Sequence, residues 1–260
     1  MSNYTKLNNN LETLKLVKIK ENIDKYIDLI NSKQKDVVEA LYELTNMEIN
    51  LMQERAMYSC VRVAGFPFIK EFEDFDFEFQ PSINKEKILD FKNLRYIEKK
   101  ENILFIGSPG VGKTHLATSI GIVAAKNRIS TYFINCNDLI ENLKKAKSEN
   151  RFANRLNHYA RYKLLIIDEV GFLPIDSEGA NMLFQLINKR YEKNSTIITS
   201  NKPFGKWHEI FGDITLANAI LDRLLHHSHI ININGKSYRL KNKIDSNVTE
   251  PNEDKWKNQI

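Results

Sequence analysis

One stretch of the sequence carries the residue types that bind nucleotide phosphates. Gly107, Gly112, Lys113 and Thr114 follow the pattern G-x-x-x-x-G-K-S/T. In such a loop the backbone N–H groups surround the phosphates, the lysine brings a mobile cation, and the hydroxyl is a ligand for bridging Mg²⁺. We therefore predict a nucleotide-binding loop. It consists of Gly107, Ser108, Pro109, Gly110, Val111, Gly112, Lys113, Thr114 and His115.

Two carboxylates further along the chain supply what ATP hydrolysis requires in addition. Asp168 and Glu169 directly follow four apolar residues, 164–167, and therefore stand at the carboxyl end of a predicted buried strand. Asp168 is predicted to hold Mg²⁺ together with Thr114, and Glu169 to orient and polarise the attacking water. A water-activating carboxylate such as Glu169 distinguishes an ATP hydrolase from a kinase. Together with the phosphate-binding loop, the two carboxylates predict ATP and Mg²⁺ as cofactors.

Asn201 and Arg223 are further candidates for the same site. Asn201 follows a predicted strand at 195–199, where its amide can hydrogen-bond the attacking water and the γ-phosphate. The same spacing fits an ordinary turn residue equally well. Arg223 is the basic residue of a predicted helix at 215–225. The residues alone leave the roles of both side chains open.

The elements that must position these residues form an α/β domain. Apolar runs at 102–106, 131–136, 163–171 and 195–199 predict parallel strands, and helical periodicity follows the phosphate-binding loop. We assign residues 66–244 to this domain. Residues 1–65 have helical periodicity and form either a region that docks DNA or a partner, or a helical cap on the domain. Residues 245–260 are mostly polar and charged, which predicts a disordered tail.

Length and composition exclude several classes of protein. The 260 residues are 42% hydrophobic, which suffices for a globular core. Neither an apolar run of about 18 residues nor a secretion signal occurs, so we predict a cytoplasmic protein without membrane contact. Cys60 and Cys136 are expected to be free thiols. His226, His227 and His229 have no accompanying cysteine or acidic cluster, so no metal site is predicted there.

A phenylalanine-rich segment, FEDFDFEFQP at 72–81, precedes the phosphate-binding loop. Its alternation of aromatic with acidic or polar residues predicts an extended segment with one apolar face. This face could pack across the base of a bound nucleotide or only cover the sheet, and the spacing does not decide between the two.

Five longer segments together resemble the IstB-type helper ATPases of bacterial insertion sequences, relatives of the DnaC helicase loaders and DnaA initiators within the AAA+ class. These segments are GSPGVGKTHLA, LLIIDEVGFLP, EGANMLFQLINKRYE, TSNKPFGKWHEIFGD and AILDRLLHHS. The resemblance covers about residues 11–243. It implies a three-layer P-loop AAA+ ATPase domain with a parallel sheet, preceded by a small helical N-terminal region.

The resemblance also implies a function. Such helpers form ATP-dependent homo-oligomers on DNA, deform the target and stimulate a partner transposase. Asn201 matches the first sensor position of the AAA+ class, and Arg223 matches the arginine that one subunit supplies to its neighbour's nucleotide. Too little chain follows Arg223 for a full helical lid, so the presence of a second sensor, with Arg239 as a candidate, stays open.

A basic interval before Asp168 is the predicted DNA contact. Residues 141–163 contain seven basic and two acidic side chains, where the AAA+ initiators have an additional helix that faces the central channel of their assembly. A basic helix there would neutralise the phosphates of duplex DNA without reading bases; the alternative is a solvated helix face. The predicted contacts are Lys144, Lys145, Lys147, Arg151 and Arg155.

Three functions compete on this sequence. The first is a DNA-dependent ATPase that assists transposition, and the second is a loader of a replicative helicase, which shares the ATPase core and differs mainly in its N-terminal partner module. The third, a small-molecule kinase, should lack the combination of Asp168, Glu169 and Asn201 and should carry a substrate lid. The segments FDFEFQPS and AILDRLLHHS favour the transposition helper.

Overall fold

Three helices occupy the start of the chain, α1 (Asn3–Thr13), α2 (Val17–Asn31) and α3 (Val37–Val63). The computed structural model describes residues 1–241, so the predicted tail at 245–260 lies outside the described residues. Residues Met1–Cys60 form a compact unit of their own. Within it, the buried carboxylate of Glu48 accepts hydrogen bonds from the backbone N–H groups of Lys18 and Ile19, at 2.7 and 3.2 Å. Since the first N–H groups of a helix have no partner inside the helix, Glu48 ties α3 to the start of α2.

A second unit begins at Val61 and contains a five-stranded sheet. Its strands are β1 (Asn102–Gly107), β2 (Thr131–Asn135), β3 (Leu164–Val170), β4 (Ser195–Ser200) and β5 (Ser228–Ile233). Its helices are α4 (Lys85–Asp90), α5 (Arg95–Glu98), α6 (Lys113–Lys126), α7 (Cys136–Ser148), α8 (Phe152–Ala160), α9 (Ser177–Arg190), α10 (Trp207–Phe211) and α11 (Ile214–Leu225).

The strands are all parallel and lie in the order β2-β3-β4-β1-β5. This order places β1 beside β4, and β4 beside β3. The carboxyl ends of these three strands therefore meet at one edge, where ligands of open α/β sheets bind. The sheet thus brings the phosphate-binding loop, Asp168 and Asn201 to the same place.

Alternate residues of β3 show how the layers are built. Leu164 and Ile166 pack with α6 on one face of the sheet, whereas Leu165 and Ile167 pack with α7 to α11 on the other. All four are fully buried, as expected for a parallel strand that is covered on both faces. The predicted three-layer α/β fold is confirmed.

The prediction for the phenylalanine-rich segment is wrong. Phe72–Asp74 forms a 3-10 helix, and turns follow it. The Asp74 carboxylate accepts a hydrogen bond from the N–H of Glu71 at 2.8 Å, and that of Asp76 accepts one from Phe79 at 3.0 Å. Because aspartate side chains stabilise turns in this way, the acidic residues bend the segment that the alternation predicted to be extended.

Two other expectations concern the whole chain. In the part of the chain that the structure describes, no helix has the length and apolar character needed to cross a bilayer. Cys60 and Cys136 are both free thiols, as predicted.

Candidate nucleotide-binding and hydrolysis site

The phosphate-binding loop connects the end of β1 to the first turn of α6. Gly110 and Gly112 have φ angles of +81° and +101°, a region that disfavours residues with a Cβ atom. A Cβ atom on Gly110 would lie 2.1 Å from the Ser237 Oγ, and one on Gly112 would lie 2.5 Å from the Phe75 ring. Glycine is therefore needed at both positions, because the loop passes between two neighbouring segments.

Lys113 is folded back onto this loop. Its Nζ donates hydrogen bonds of 2.8 Å to the carbonyl oxygens of Gly107 and Ser108. Burial lowers the pKa of the Lys113 ammonium, whereas the nearby charges of Asp168 and Glu169 raise it. A partly desolvated cation at this position is suited to anionic phosphate oxygens, which are stronger acceptors than neutral carbonyls.

Asp168 lies at the end of β3 beside Thr114. The Thr114 hydroxyl is 3.0 and 3.1 Å from the two carboxylate oxygens of Asp168, and the Thr199 hydroxyl donates to the same carboxylate at 2.5 Å. Burial raises the pKa of Asp168, and the two hydroxyl hydrogen bonds oppose this shift. A hydroxyl and a buried carboxylate form an oxygen-only donor set, which fits Mg²⁺.

Glu169 has a left-handed backbone conformation, with a φ of +60°. Its N–H is 2.9 Å from the Thr199 hydroxyl oxygen, and its Oε2 accepts a hydrogen bond of 2.8 Å from the Nδ2 of Asn135. Strained residues of this kind often occur at functional sites. The Asn135 amide holds the Glu169 carboxylate in one orientation.

Asn135 was missed in the sequence analysis. It ends β2, and its Cα pairs in register with that of Asp168 on β3. The sequence carried one usable signal, because a polar residue at the end of a strand next to β3 must lie near the carboxylates that follow β3. Single asparagines after predicted strands are too frequent for that signal to identify it.

Asn201 faces the same pocket from the end of β4. Its Oδ1 is buried and has no hydrogen-bond partner within residues 1–241. A buried acceptor without a partner is energetically unfavourable in a folded protein and calls for a ligand or an ordered water. This orphaned acceptor favours a ligand-facing role for Asn201 over that of a turn residue.

The pocket formed by these residues has a cavity volume of about 310 Å³. The phosphate-binding loop, Glu169 and Asn201 line one part of it. The rest of the lining is aromatic, amide and charged: Phe68, Phe75, Phe172, Tyr238, Gln80, Lys70, Asp74, Asp76 and Arg239. Its polar and aromatic linings and its size fit a nucleotide.

The segment 234–241 closes part of this pocket and brings Arg239 to it. The N–H of Tyr238 donates to the Gly110 carbonyl at 2.9 Å, and the Gln80 amide donates to the Lys236 carbonyl at 2.8 Å. The Lys241 ammonium lies 2.7 Å from an oxygen of Asp76. These contacts hold Arg239 next to the phosphate-binding loop. Arg239 is the residue that we named from the sequence as a candidate second sensor.

Arg223 does not line the pocket. Its Nε donates to the Oδ1 of Asn188 at 3.0 Å, and its NH1 donates to the carbonyl of Ala219 at 2.9 Å. The guanidinium carbon lies 4.8 Å from the centroid of the Phe184 ring. Of the predicted catalytic residues, the structure thus brings four together and holds Arg223 apart from them.

The basic interval at 141–163 contains the second part of α7 and all of α8. Asn150, between them, has a φ of +54°, which interrupts helical geometry. Three of the predicted DNA contacts have carboxylate partners: Lys144 with Asp176 at 2.7 Å, Lys147 with Glu178 at 2.6 Å, and Arg151 with Glu149. Lys145 and Arg155 are exposed, and residues 1–241 provide no ion pair for either.

Comparisons with known proteins show the family of this chain. The protein family described as IstB-like ATP binding protein matches the chain over residues 9–246. An ATP-binding protein of insertion sequence IS232 from Bacillus thuringiensis subsp. berliner is 55% identical over 240 residues, 92% of this chain and 96% of that protein. The corresponding protein of insertion sequence IS21 from Pseudomonas aeruginosa is 41% identical over 242 residues, covering 93% and 91% of the two chains.

Solved structures show the same fold at lower sequence identity. The DnaC helicase loader aligns with a TM-score of 0.50 and 24% identity over 57% of this chain and 87% of its own. The replication initiator DnaA, bound to AMPPCP and single-stranded DNA, aligns with a TM-score of 0.55 and 19% identity over 68% and 54% of the two chains.

Proposed function

Because the chain belongs to the family of IstB-like ATP-binding proteins, we propose that it hydrolyses ATP to assist the transposition of an insertion sequence. In this proposal it assembles on target DNA as an ATP-dependent homo-oligomer and stimulates a partner transposase. The observation that carries the proposal is the convergence of Lys113, Thr114, Asp168, Glu169 and Asn201 at the carboxyl edge of one sheet. A kinase would not need a water-activating carboxylate beside Mg²⁺ ligands.

Each residue at this edge has a proposed role. The backbone N–H groups of residues 107–115 bind the phosphates, and Lys113 places its charge at the β- and γ-phosphates. Thr114 and Asp168 hold Mg²⁺, which when bound neutralises charge on the phosphate oxygens. Because Thr114 and Asp168 are already within 3.1 Å of each other, little rearrangement is needed to form the site.

Glu169 orients and polarises the attacking water, and Asn201 positions the same water from the other side. The proposed acceptor on Asn201 is the Oδ1 that has no partner within residues 1–241. Asn135 holds Glu169 through its amide at 2.8 Å, so we assign it a positioning role. The Asn135 amide engages only Oε2, so the second oxygen of the Glu169 carboxylate can accept a hydrogen bond from water while the first stays bonded.

Two arginines are proposed to act on the phosphates from different chains. Arg239 supplies charge in its own subunit, because it lines the pocket beside the phosphate-binding loop. Arg223 is proposed to act on the nucleotide of the neighbouring subunit, and its position outside its own pocket supports that role. ATPase activity would then depend on assembly.

The DNA contact is proposed for Lys145 and Arg155. Both are exposed, whereas Lys144, Lys147 and Arg151 have carboxylates within the chain that compete with DNA phosphates. These contacts to the backbone of duplex DNA are largely independent of sequence. Residues 1–65 are proposed as the region that docks DNA or the partner, and residues 66–244 as the ATPase domain.

A helicase loader remains the alternative function. The DnaC loader shares the fold, but the insertion-sequence relatives match more than 90% of this chain at 41% and 55% identity. Those matches include the N-terminal helices, where loaders and transposition helpers are expected to differ. The length of the match therefore favours the transposition function.

Two variants test the proposed hydrolysis. Lys113→Ala should weaken ATP binding severely, since it removes the mobile cation of the loop. Glu169→Gln should keep ATP binding, lower DNA-stimulated hydrolysis by roughly a hundredfold or more, and prolong the life of the ATP-bound assembly on DNA. Nucleotide affinity by calorimetry and phosphate release with and without duplex DNA are the measurements. Equal loss of ATP affinity in both variants would contradict the assigned roles.

A further inference from the structure

A group of metal-binding side chains lies outside the nucleotide pocket, where α9 and α11 end. Glu192 follows α9, and His226 and His227 follow α11. One Glu192 oxygen, Oε1, lies 3.7 Å from the Nδ1 of His226 and 3.8 Å from the Nε2 of His227. Within residues 1–241, these three form the one group of at least three histidine, cysteine or acidic residues whose ligand atoms all lie within 4.8 Å of one another.

We propose that Glu192, His226 and His227 bind one divalent transition-metal ion such as Zn²⁺. Two imidazoles and one carboxylate are a donor set that suits Zn²⁺ and similar ions, and not Mg²⁺, which requires oxygen ligands. From the sequence we predicted no metal site at these histidines, because neither a cysteine nor an acidic cluster accompanies them along the chain. The fold supplies the missing carboxylate from the turn that follows α9.

The spacing of the ligand atoms is close to that of a coordination sphere. Metal–ligand distances near 2.1 Å place neighbouring ligands of a tetrahedral ion about 3.4 Å apart. The separations of 3.7 and 3.8 Å are therefore longer than this by about 0.3–0.4 Å. All three side chains are exposed, so small rotations close this difference, and water completes the coordination.

The backbone that carries Glu192 is fixed by a buried residue at the end of α9. The Arg190 guanidinium is 1% exposed and donates to the carbonyls of Tyr159, Ala160 and Tyr162 at 3.1, 3.1 and 2.7 Å. The Arg190 carbonyl in turn accepts from the N–H of Lys193 at 2.9 Å. Glu192 thus lies in a turn whose backbone is already fixed. Less conformational entropy is therefore lost when a metal binds.

The electrostatic surroundings also favour a cation. The C-terminal end of a helix carries partial negative charge from its last carbonyl groups. Two such ends, those of α9 and α11, carry the three proposed ligands. A bound ion would join these two helices, which are also the pair that holds Arg223 through Asn188. The proposed metal site does not depend on the proposed ATPase and DNA activities being correct.

Two nearby side chains affect which atoms can bind the metal. His229, the third histidine of the run, is not a ligand, because its Nε2 lies 2.8 Å from a Glu101 oxygen. The Tyr191 hydroxyl lies 2.8 Å from the Nδ1 of His226. In the tautomer of His226 whose Nδ1 carries no proton, this hydroxyl donates to the lone pair that the metal needs and must turn away when the metal binds.

Zinc titration of the full-length protein tests the proposal. The nucleotide-free protein is kept in excess Mg²⁺, so that Thr114 and Asp168 do not take up Zn²⁺, and a chromophoric chelator competes for the metal. We expect one Zn²⁺ per chain, and an affinity lowered roughly tenfold or more in His227→Ala and in Glu192→Gln. The control is His208→Ala, which removes an exposed histidine of α10 and should leave the affinity unchanged.

Two further measurements make the assignment specific. Co²⁺ in place of Zn²⁺ should give a visible absorption band that His227→Ala loses and His208→Ala keeps. Tyr191→Phe should bind Zn²⁺ as tightly as the natural protein or more tightly, because it removes the competing hydrogen bond. The proposal is overturned if the natural protein takes up no stoichiometric Zn²⁺, if the ligand variants bind it equally well, or if Tyr191→Phe weakens binding.

Discussion

At the scale of single residues, Asp168 shows how the site is built for a cation. Its carboxylate is 5% exposed, and burial raises its pKa. A raised pKa means that ionisation of Asp168 opposes folding in the absence of a cation. Its favourable contribution to stability is therefore present while the group is protonated and is lost as the pH rises through its folded-state pKa.

Asp168→Asn should stabilise the nucleotide-free protein at neutral pH. The amide keeps an acceptor for the Thr114 and Thr199 hydroxyls but carries no charge. We expect the melting temperature to rise by about 2–4 °C, which corresponds to about 1 kcal/mol for a domain of this size. The difference should shrink as the pH falls through the raised pKa of Asp168 in the folded protein, and it should vanish only below the ordinary aspartate pKa of about 3.9.

Calorimetry across this pH range provides the measurement, and ATP with Mg²⁺ provides the control. The natural protein should be stabilised by ATP and Mg²⁺ together, whereas Asp168→Asn should lose the part that depends on Mg²⁺. An unchanged or lower melting temperature of Asp168→Asn at neutral pH would mean that burial does not penalise this carboxylate.

The residues of the pocket differ in how far the sequence could predict them. Lys113, Thr114, Asp168 and Glu169 stand in fixed patterns next to an apolar run, because their chemistry requires a loop or a strand end at that position. Asn135 and Arg239 have no such pattern. Asn135 reaches Glu169 only through the strand order, and Arg239 reaches the pocket only through the course of segment 234–241. Local spacing encodes neither of these.

At the scale of elements, the strands were predictable and the irregular segments were not. A buried parallel strand is a nearly continuous apolar run, so β1, β3 and β4 were found within a residue or two of their observed ends. The prediction of an extended segment at 72–81 was wrong for two reasons. Phe72 and Phe75 are buried at a spacing of three residues, and aspartate side chains stabilise the turns. Alternating residue types predict a strand only where no turn-forming side chain caps the backbone.

The basic helices give a prediction at this scale. Replacing Lys145 and Arg155 by alanine together should weaken binding to unrelated duplex sequences by a similar factor. Each lost phosphate contact should reduce the slope of log affinity against log salt by about 0.9. Fluorescence anisotropy at several salt concentrations measures the slope.

A matched pair of lysines provides the control for this experiment. Lys144→Ala with Lys147→Ala removes the same net charge, but those ammonium groups already lie 2.7 and 2.6 Å from Asp176 and Glu178. The slope should change less in this pair than in the first. Equal slopes for both pairs and the natural protein would show that Lys145 and Arg155 do not contact DNA. Residues 1–65 would then be the next candidate.

At the scale of the whole molecule, the proposed mechanism assigns one group of the active site to a neighbouring chain. In this proposal Asp168, Glu169 and Asn201 position Mg²⁺ and water, and Arg239 supplies charge from its own chain beside the phosphate-binding loop. Arg223 is held by Asn188 and Phe184 outside that pocket. An arginine supplied by a neighbouring subunit can raise the rate of phosphoryl transfer on the order of a thousandfold or more.

Arg223→Ala should therefore bind ATP nearly normally and hydrolyse it poorly. Mixing supplies the decisive measurement, since Lys113→Ala subunits keep the arginine and Arg223→Ala subunits keep the phosphate-binding loop. Phosphate release should recover in part when the two inactive variants assemble together on DNA. Lys189→Ala, which removes an exposed cation of α9, is the control and should keep full activity.

The mixing experiment separates a role between subunits from a role within one. Recovery requires that the intact loop of one chain meets the intact arginine of another, so only mixed interfaces can produce it. If mixed oligomers form on DNA without recovery, and Arg223→Ala alone loses ATP binding, then Arg223 acts within its own chain or only supports the packing of α11 on α9. Thermal unfolding of Arg223→Ala distinguishes those two cases, because loss of packing lowers the melting temperature and loss of a nucleotide contact does not.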